Sequence, residues 1–566
     1  MNTETSRVRL AVLGVVILSL FAALQARLLY LQVMDSDSFV EAAATNQIRL
    51  VYEPAPRGRI LDRNGKVLVE NRVANVVAVR RDEADRNPDM VSRLSALLQM
   101  PDDELMRRIN DVRFSPFAPV PVAQEVDEST LVYISEHQAD FPGVRATRVA
   151  ERKYPHGALA SHVLGYVGQA TKEELDPRRA DGYRDGDEIG KSGVEKTYEE
   201  YLRGEPGVTK LEVDARGLVV GAPLGESPPV PGRDVQLTID LDVQRATEES
   251  LAKGLVAARN LRDREERKPF VAPAGAAVVL DPRDGSVVAM ASYPTFEPAS
   301  FADGISVEAF RALSDPANHF PLNNRAIQGQ YSPGSTFKLM TSLAALRTGV
   351  INAGTTYLDE GTFRLRNCRG DRCVFRNAGS IPHGRVNLQR ALTVSSDVFY
   401  YTLGASFWSQ RATLGDPIQA AARDLGLGEL TGIPLAGEKR GRVPDPETRK
   451  RLNEANPQAF PNGDWRTGDN VNLSIGQGEM AATPLQMAQS YAVFANGGTV
   501  FQPRLASRIV GPKGSTVATI DPKVTRRMEL PAEFRAPILA GLKGVVADPK
   551  GTARGAFAGF PLAGFE

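Results

Sequence analysis

Apolar residues run without a charge from Leu10 to Ala26 (LAVLGVVILSLFAALQA), between Arg9 and Arg27. A helix of that length rises about 25 Å, slightly less than a hydrocarbon core of about 30 Å. Leu28, Leu29, Tyr30, Leu31 and Val33 extend the run, and Arg27 is long enough to snorkel. Arg7 and Arg9 precede the segment, whereas Asp35 and Asp37 follow it. The pattern predicts one membrane-spanning helix within residues 1–33, with a cytoplasmic N-terminus and an exported remainder beyond about Met34. A cleaved signal peptide is the rival reading, but no small-x-small site follows the apolar stretch. A buried soluble helix fits the flanking charges poorly. No other stretch of the chain is long and apolar enough to span.

Beyond the anchor the periodicity shortens. Pro56–Asn71 (PRGRILDRNGKVLVEN) predicts a hairpin, Asn64-Gly65 supplying the positive-φ turn between Ile60-Leu61 and Val67–Val69. Residues 82–112 are helical in pattern, with Val91, Leu94, Leu97 and Leu98 on one face. Gly190–Gly207 predicts a helix over Val194–Leu202 between glycines. The character changes near Gly232, and Val235–Asp240 (VQLTID) opens a second body. Ala276–Leu280 and Ser286–Ala291 flank Asp281–Gly285 as a second hairpin. The charged stretch Arg259–Lys268 reads as a solvated loop or helix end. Helical patterns dominate from about 335 to 495.

Composition narrows the class. A chain of 566 residues has room for three or four domains. Its 68 basic and 68 acidic side chains cancel, so no nucleic acid is expected as a partner. Hydrophobic content of 42% and charged content of 24% are those of a folded globular protein. Two cysteines exclude a Cys-rich metal or disulfide scaffold. The fold class is mixed α/β.

Gln330–Leu346 (QYSPGSTFKLMTSLAAL) begins with the turn Pro333-Gly334 and continues as a helix to about Gly349. Ser335 is thereby put at or near a helix N-terminus, with Lys338 three residues on and on the same face. That geometry suits a nucleophile: an amine is within reach of the hydroxyl proton, and free N–H groups face a developing oxyanion. Lysine acts as a base only where burial or neighbouring cations lower its pKa. A serine there is as readily a plain cap, and a lysine at i+3 a solvated side chain.

The surroundings decide between these. Val394–Tyr401 (VSSDVFYY) contains Ser395-Ser396-Asp397, and Leu473–Gly478 (LSIGQG) follows later. With Arg57–Gly65 (RGRILDRNG), Gly190–Gly207, Asp281–Pro294 (DPRDGSVVAMASYP), Asn324-Arg325-Ala326 and Pro333–Lys338 (PGSTFK), the chain resembles the class B penicillin-binding proteins. The likeness is greatest to the elongation-type branch called penicillin-binding protein 2, and it runs from the anchor to the last residues. It implies an N-terminal anchor (1–33), an extended α+β pedestal that is non-catalytic and partner-binding (34–232), and a serine β-lactamase/transpeptidase-like α/β domain (233–566).

The resemblance also implies roles. Ser335 would attack the penultimate D-Ala carbonyl of a peptidoglycan stem peptide, Lys338 would take its proton, and Ser395 would relay protons. Asp397 stands where most relatives have Asn and elongation-type members often have Asp. Gln477 and Gly478 would border the substrate, although a glycine-rich turn before a helix is an equally good reading. β-Lactam antibiotics would mimic D-Ala-D-Ala and trap Ser335. No metal or other cofactor is needed for such acyl transfer. The pedestal and anchor would contact a polytopic peptidoglycan glycosyltransferase of the elongation machinery.

One motif of the family is not met. Lys-(Ser/Thr)-Gly normally follows an Ala-Gly pair, and this sequence ends Ala563-Gly564-Phe565-Glu566. The expectation is a transpeptidase domain lacking its last strands, with a sheet edge exposed. An inactive scaffold that only regulates the glycosyltransferase is therefore an alternative, as is a septal role; a β-lactam sensor would carry more membrane spans. Cys368 and Cys373 read as a local disulfide of an exported domain. Zinc, with Asp359 and His383 nearby, is the other reading, because some relatives bind it in this region. His137, His156, His162 and His319 show no ligand spacing, and Ser335 is not in a Gly-x-Ser-x-Gly elbow, which disfavours a Ser-His-Asp hydrolase. Trp408 and Trp465 are read as packing residues.

Overall fold

A computed structural model describes residues 3–30, 48–111, 119–212, 222–263, 267–302 and 304–562. The chain divides into two bodies, Met1–Pro56 with Gly204–Gly232 and Arg57–Arg203 with Arg233–Glu566. In the first body a single helix spans Thr3–Leu29. Its stretch Ala11–Leu29 covers 19 residues at a mean hydropathy of 2.2, and none of it is buried. That is long and apolar enough to cross a bilayer. The same body holds an antiparallel sheet in the order Ile48–Glu53, Gly207–Glu212, Gly225–Ser227. Asp35 and Asp37, which follow the helix, lie outside the described residues, as does the Ala563-Gly564 pair.

In the second body the predicted hairpin forms around Asn64-Gly65. Ile60–Leu61 pairs with Val67–Val79, Gly65 has φ +85°, and the Asp62 carboxylate accepts from the N–H groups of Asn64 and Lys66 at 2.7 and 2.8 Å. Asp234–Leu237, where a new body was expected to begin, pairs in parallel with Ile60–Leu61 and antiparallel with Ala506–Val510. One seven-stranded sheet thus joins sequence-distant segments, continuing through Val120–Gln124 and Val144–Lys153 beside the long Val67–Val79 strand.

Two helical readings are corrected by local breaks. The described residues of the 82–112 stretch form three helices, Arg81–Arg86, Pro88–Leu98 and Asp102–Ile109, because Pro88 and Pro101 cannot continue a preceding helix. Val91 and Leu94 are buried as the periodicity requires. The Val194–Leu202 helix is two short turns, Gly193–Thr197 and Glu199–Leu202, hinged at Tyr198.

Those turns carry carboxylates into a buried ionic cluster. Arg57 Nη2 lies 3.0 Å from Glu195 Oε2 and 2.7 Å from Glu199 Oε2, and Arg152 Nε lies 2.7 Å from Glu195 Oε1. Burial raises the cost of the Glu195 charge, but Arg152 and Arg57 outweigh it and hold the carboxyl below its ordinary range. The RGRILDRNG and GVEKTYEE segments are far apart in sequence and meet here.

The helical part is built around Lys338–Arg347, whose residues Lys338 to Leu346 are all buried. A helix covered on every side needs no polar face, which is why its sequence lacks amphipathic contrast. Its two central hydroxyls are satisfied: Thr341 donates to Ser474 O at 2.8 Å, and Ser342 donates to Lys338 O at 2.7 Å. Asp397–Ser409 crosses Thr467–Leu473 at Gly404, where an added Cβ would sit 2.8 Å from Asn470 O. Helices do not fill 335–495 throughout. Between 357 and 386 the chain makes short strands, Tyr357–Asp359 with Gly384–Val386 and Thr362–Arg364 with Val374–Arg376. Gly361, Gly370 and Gly384 adopt positive φ there and break any helical run. The second predicted hairpin forms as Gly275–Leu280 with Val287–Tyr293.

Candidate active site

The helix expected from Pro333-Gly334 onward starts with a 3₁₀ turn, Gly334–Phe337, and becomes an α-helix at Lys338. Ser335 is exposed on that turn, and Lys338 points inward with 2% of its side chain accessible. The turn is fixed from outside by Gly476, whose carbonyl accepts from Gly334 N–H at 3.0 Å. Gly476 has φ +70°, and a Cβ there would lie 2.5 Å from both Gly334 O and Phe337 Cβ. Only glycine lets the LSIGQG turn approach this closely. Gln477 and Gly478 are exposed on that same turn, beside the one that carries Ser335.

Lys338 Nζ donates to Ser395 Oγ at 2.9 Å, to Ser395 O at 2.9 Å and to Asp397 Oδ1 at 2.7 Å. Ser395 Oγ in turn donates to Ser335 Oγ at 3.0 Å. Among the described residues no hydrogen bond joins Lys338 directly to Ser335, so the amine reaches the serine through Ser395. Ser395 has φ +54°, a conformation that costs a non-glycine residue about 1 kcal/mol and must be held by its surroundings. The lysine's bond to Ser395 O is one such restraint. Burial pulls the Lys338 pKa down and Asp397 opposes it, with a smaller push from Asp359; the net shift is below the ordinary 10.5. The ammonium also stands 5.3 Å from the ring of the fully buried Tyr400.

Behind this row lies a polar cluster that the sequence did not announce. The buried Asp359 carboxylate accepts from Ser396 Oγ at 2.5 Å, from Asn377 Nδ2 at 2.8 and 2.9 Å, and from Gly361 N–H at 2.8 Å. Asn377 Oδ1 accepts from the N–H groups of Asp397 and Val398 at 2.9 and 3.0 Å, closing the first turn of the Asp397–Ser409 helix. Ser396 is the N-cap of that helix, accepting from Phe399 N–H. Asp359 therefore holds the Ser395–Asp397 turn through two intermediaries. The available signal was the pair of short strands around Gly361, which the helical reading of 335–495 hid.

Cys368 and Cys373 are joined by a disulfide, with Cα atoms 5.7 Å apart. Among the described residues no group of three or more His, Cys, Asp and Glu is arranged to hold a metal. His162 is buried, donates to Pro321 O at 2.7 Å and has its pKa pulled down to about 4 by burial. Trp465 is buried in the helical core and Trp408 packs against it.

A serine hydrogen-bonded through a second serine to a buried lysine, on a helical core beside a sheet, fits the serine acyltransferases with a Ser-x-x-Lys pair. Residues 52–237 match the penicillin-binding protein dimerisation domain, and residues 275–564 match the penicillin-binding protein transpeptidase domain. The chain belongs to the penicillin-binding protein transpeptidase family. It is 34% identical over 507 residues to the peptidoglycan D,D-transpeptidase MrdA of Acinetobacter baumannii, covering 89% of this chain and 69% of that protein. Among solved structures it is similar to a penicillin-binding protein (PBP2) in complex with MreC from Helicobacter pylori, at 25% identity and a TM-score of 0.68 over 90% of this chain and 86% of that one. It is also similar to a chain from a peptidoglycan synthase complex that coordinates polymerization and crosslinking, at 32% identity and a TM-score of 0.67 over 98% and 87% of the two chains.

Proposed function

We propose that this chain is a peptidoglycan D,D-transpeptidase of cell elongation, working through a Ser335 acyl-enzyme. The observation that carries this reading is the hydrogen-bonded row Lys338–Ser395–Ser335, with the amine buried. Ser335 Oγ attacks the penultimate D-Ala carbonyl carbon of a stem peptide, and its proton passes through Ser395 Oγ to the neutral Lys338 amine. The Gly334 N–H is taken up by Gly476 O, and the Ser335 N–H at the start of the 3₁₀ turn meets the oxyanion. The C–N bond to the terminal D-Ala breaks, and the departing amine takes the proton back along the same row. An amine of a neighbouring stem then attacks the ester carbonyl, loses a proton to the row and releases Ser335. Asp397 orients the lysine, Gln477 and Gly478 border the substrate, and a β-lactam ring opens on Ser335 in place of the peptide.

The domain reading assigns 1–33 to a cytoplasmic tail and anchor, 34–232 to a partner-binding pedestal and 233–566 to the transpeptidase domain. Arg7 and Arg9 before the apolar helix favour a cytoplasmic N-terminus and an extracytoplasmic catalytic domain. The partner is a polytopic glycosyltransferase of the elongation machinery, a reading supported by the relative found in a synthase complex. The kinship with curated transpeptidases does not favour an inactive scaffold. The test is to incubate the full chain in detergent with uncross-linked glycan strands and to analyse the products. Cross-linked dimers and released D-Ala, both absent with Ser335→Ala, are expected. Strands left unchanged by a folded protein would overturn the reading.

A further inference from the structure

Residues 362–376 carry five arginines, Arg364, Arg366, Arg369, Arg372 and Arg376, against one carboxylate, Asp371. In a chain whose charges cancel overall, this hairpin has a net charge of +4. All five side chains are exposed. Among the described residues none of them forms an ion pair, whereas other arginines of the helical part do: Arg347 with Asp424, Arg390 with Asp548, and Arg449 with Asp469 and Glu479. Like charges this close repel and give the hairpin no stability of their own.

Something else holds the hairpin in shape. Phe363 and Phe375 are opposite each other in register, and their rings lie 6.1 and 5.3 Å from that of Tyr401. The tip is closed by the Cys368–Cys373 disulfide. The root is tied to the catalytic row, because Tyr401 donates to Arg376 O at 3.3 Å and the next residue, Asn377, holds the turn at Asp397. A rigid, uncompensated set of guanidinium groups therefore stands on the element that buttresses Ser395.

We infer that this hairpin binds the stem-peptide carboxylates of the peptidoglycan strand being cross-linked. The inference rests on the transpeptidase reading for its substrate. Guanidinium forks match carboxylates bidentately, and a cluster of them concentrates a polyanion near the serine. A single stem in the site is not enough to hold a long strand; repeated carboxylates along it, met by several arginines, are.

The test is co-sedimentation of the full chain in detergent with intact sacculi and with sacculi stripped of stem peptides by an amidase. The wild-type protein is expected to bind intact sacculi, to lose binding to stripped ones, and to weaken as salt rises from about 50 to about 500 mM. The triple variant Arg366→Gln, Arg369→Gln, Arg372→Gln is expected to bind about tenfold more weakly, with lysines at the same positions, which keep the charge but not the fork, restoring only part of the loss. Equal binding by stripped sacculi, or by a folded glutamine variant, would overturn the inference, as would a preference for anionic phospholipid vesicles. If the glutamine variant fails to fold, the comparison of intact with stripped sacculi decides on wild-type protein alone. A penicillin adduct on the same preparation separates the two readings: binding without an adduct sinks the transpeptidase reading, and an adduct without stem-dependent binding sinks this one.

Discussion

Lys338 Nζ lies 2.7 Å from Asp397 Oδ1, with 2% of the lysine side chain and 14% of the aspartate side chain accessible. The pair sets the protonation of the amine that is hydrogen-bonded through Ser395 to Ser335. Burial drives the lysine toward its neutral form, and the carboxylate holds the proton on. Acylation needs the neutral amine, so its rate should rise with pH along a limb lying below the usual lysine range. Asp397→Asn removes the opposing charge, lowers the lysine pKa further and should move that limb to lower pH. Acylation by a fluorescent penicillin, measured across pH for both proteins, checks this. A limb that stays in place or moves upward would show that Lys338 is not the titrating base.

Ser395→Ala removes the oxygen that joins Lys338 to Ser335. Loss of one proton-transfer group costs roughly 10²- to 10⁴-fold in rate. The acylation rate constant of the variant should fall within that range while its melting temperature changes little. A fall of less than about tenfold would mean that the lysine reaches the serine without the relay.

Asn377→Ala strips two donor contacts from the Asp359 carboxylate and leaves the N–H groups of Asp397 and Val398 without their acceptor. An unsatisfied buried polar group costs about 1–3 kcal/mol. Denaturant unfolding should show a loss of at least that size, together with slower acylation because the Ser395–Asp397 turn loosens. A fully stable variant would remove the buttress from the mechanism.

Glu195 is the shared anion of Arg57 and Arg152. Its folded-state pKa is depressed, so its stabilisation is present above the ordinary carboxylate value of 4.5 and lost as pH falls below it. Glu195→Gln leaves the buried Arg152 without its carboxylate and Arg57 with Glu199 alone, which costs about 3–5 kcal/mol. Thermal unfolding at neutral pH should report that loss, and the gap between variant and wild type should narrow as pH falls below the ordinary carboxylate value toward the depressed one. A gap independent of pH would point to packing rather than charge.

Much of the site was legible because its residues lie in short, self-contained segments. Ser335 and Lys338 are fixed relative to one another by a turn and one helical step, and the Ser395–Asp397 row by a cap and a helix start. The turn chemistry of Asn64-Gly65 read correctly for the same reason. What the sequence concealed depends on contacts between distant segments. Asp359 acquires its role only when Asn377 and Ser396 fold onto it. Arg57, Arg152 and Glu195 look like separate surface charges until three elements meet. The Lys338–Arg347 helix gave a pattern of uniform burial that periodicity cannot orient, and the short strands of 357–386 lay hidden between strong helical signals.

The direct test of Ser335 as the nucleophile is intact-mass spectrometry of the full chain after exposure to penicillin, followed by peptide mapping. One adduct per chain is expected, located on the peptide containing Ser335 and absent from Ser335→Ala. A folded protein that takes no adduct, or one that takes it on another residue, would contradict the acyl-enzyme mechanism.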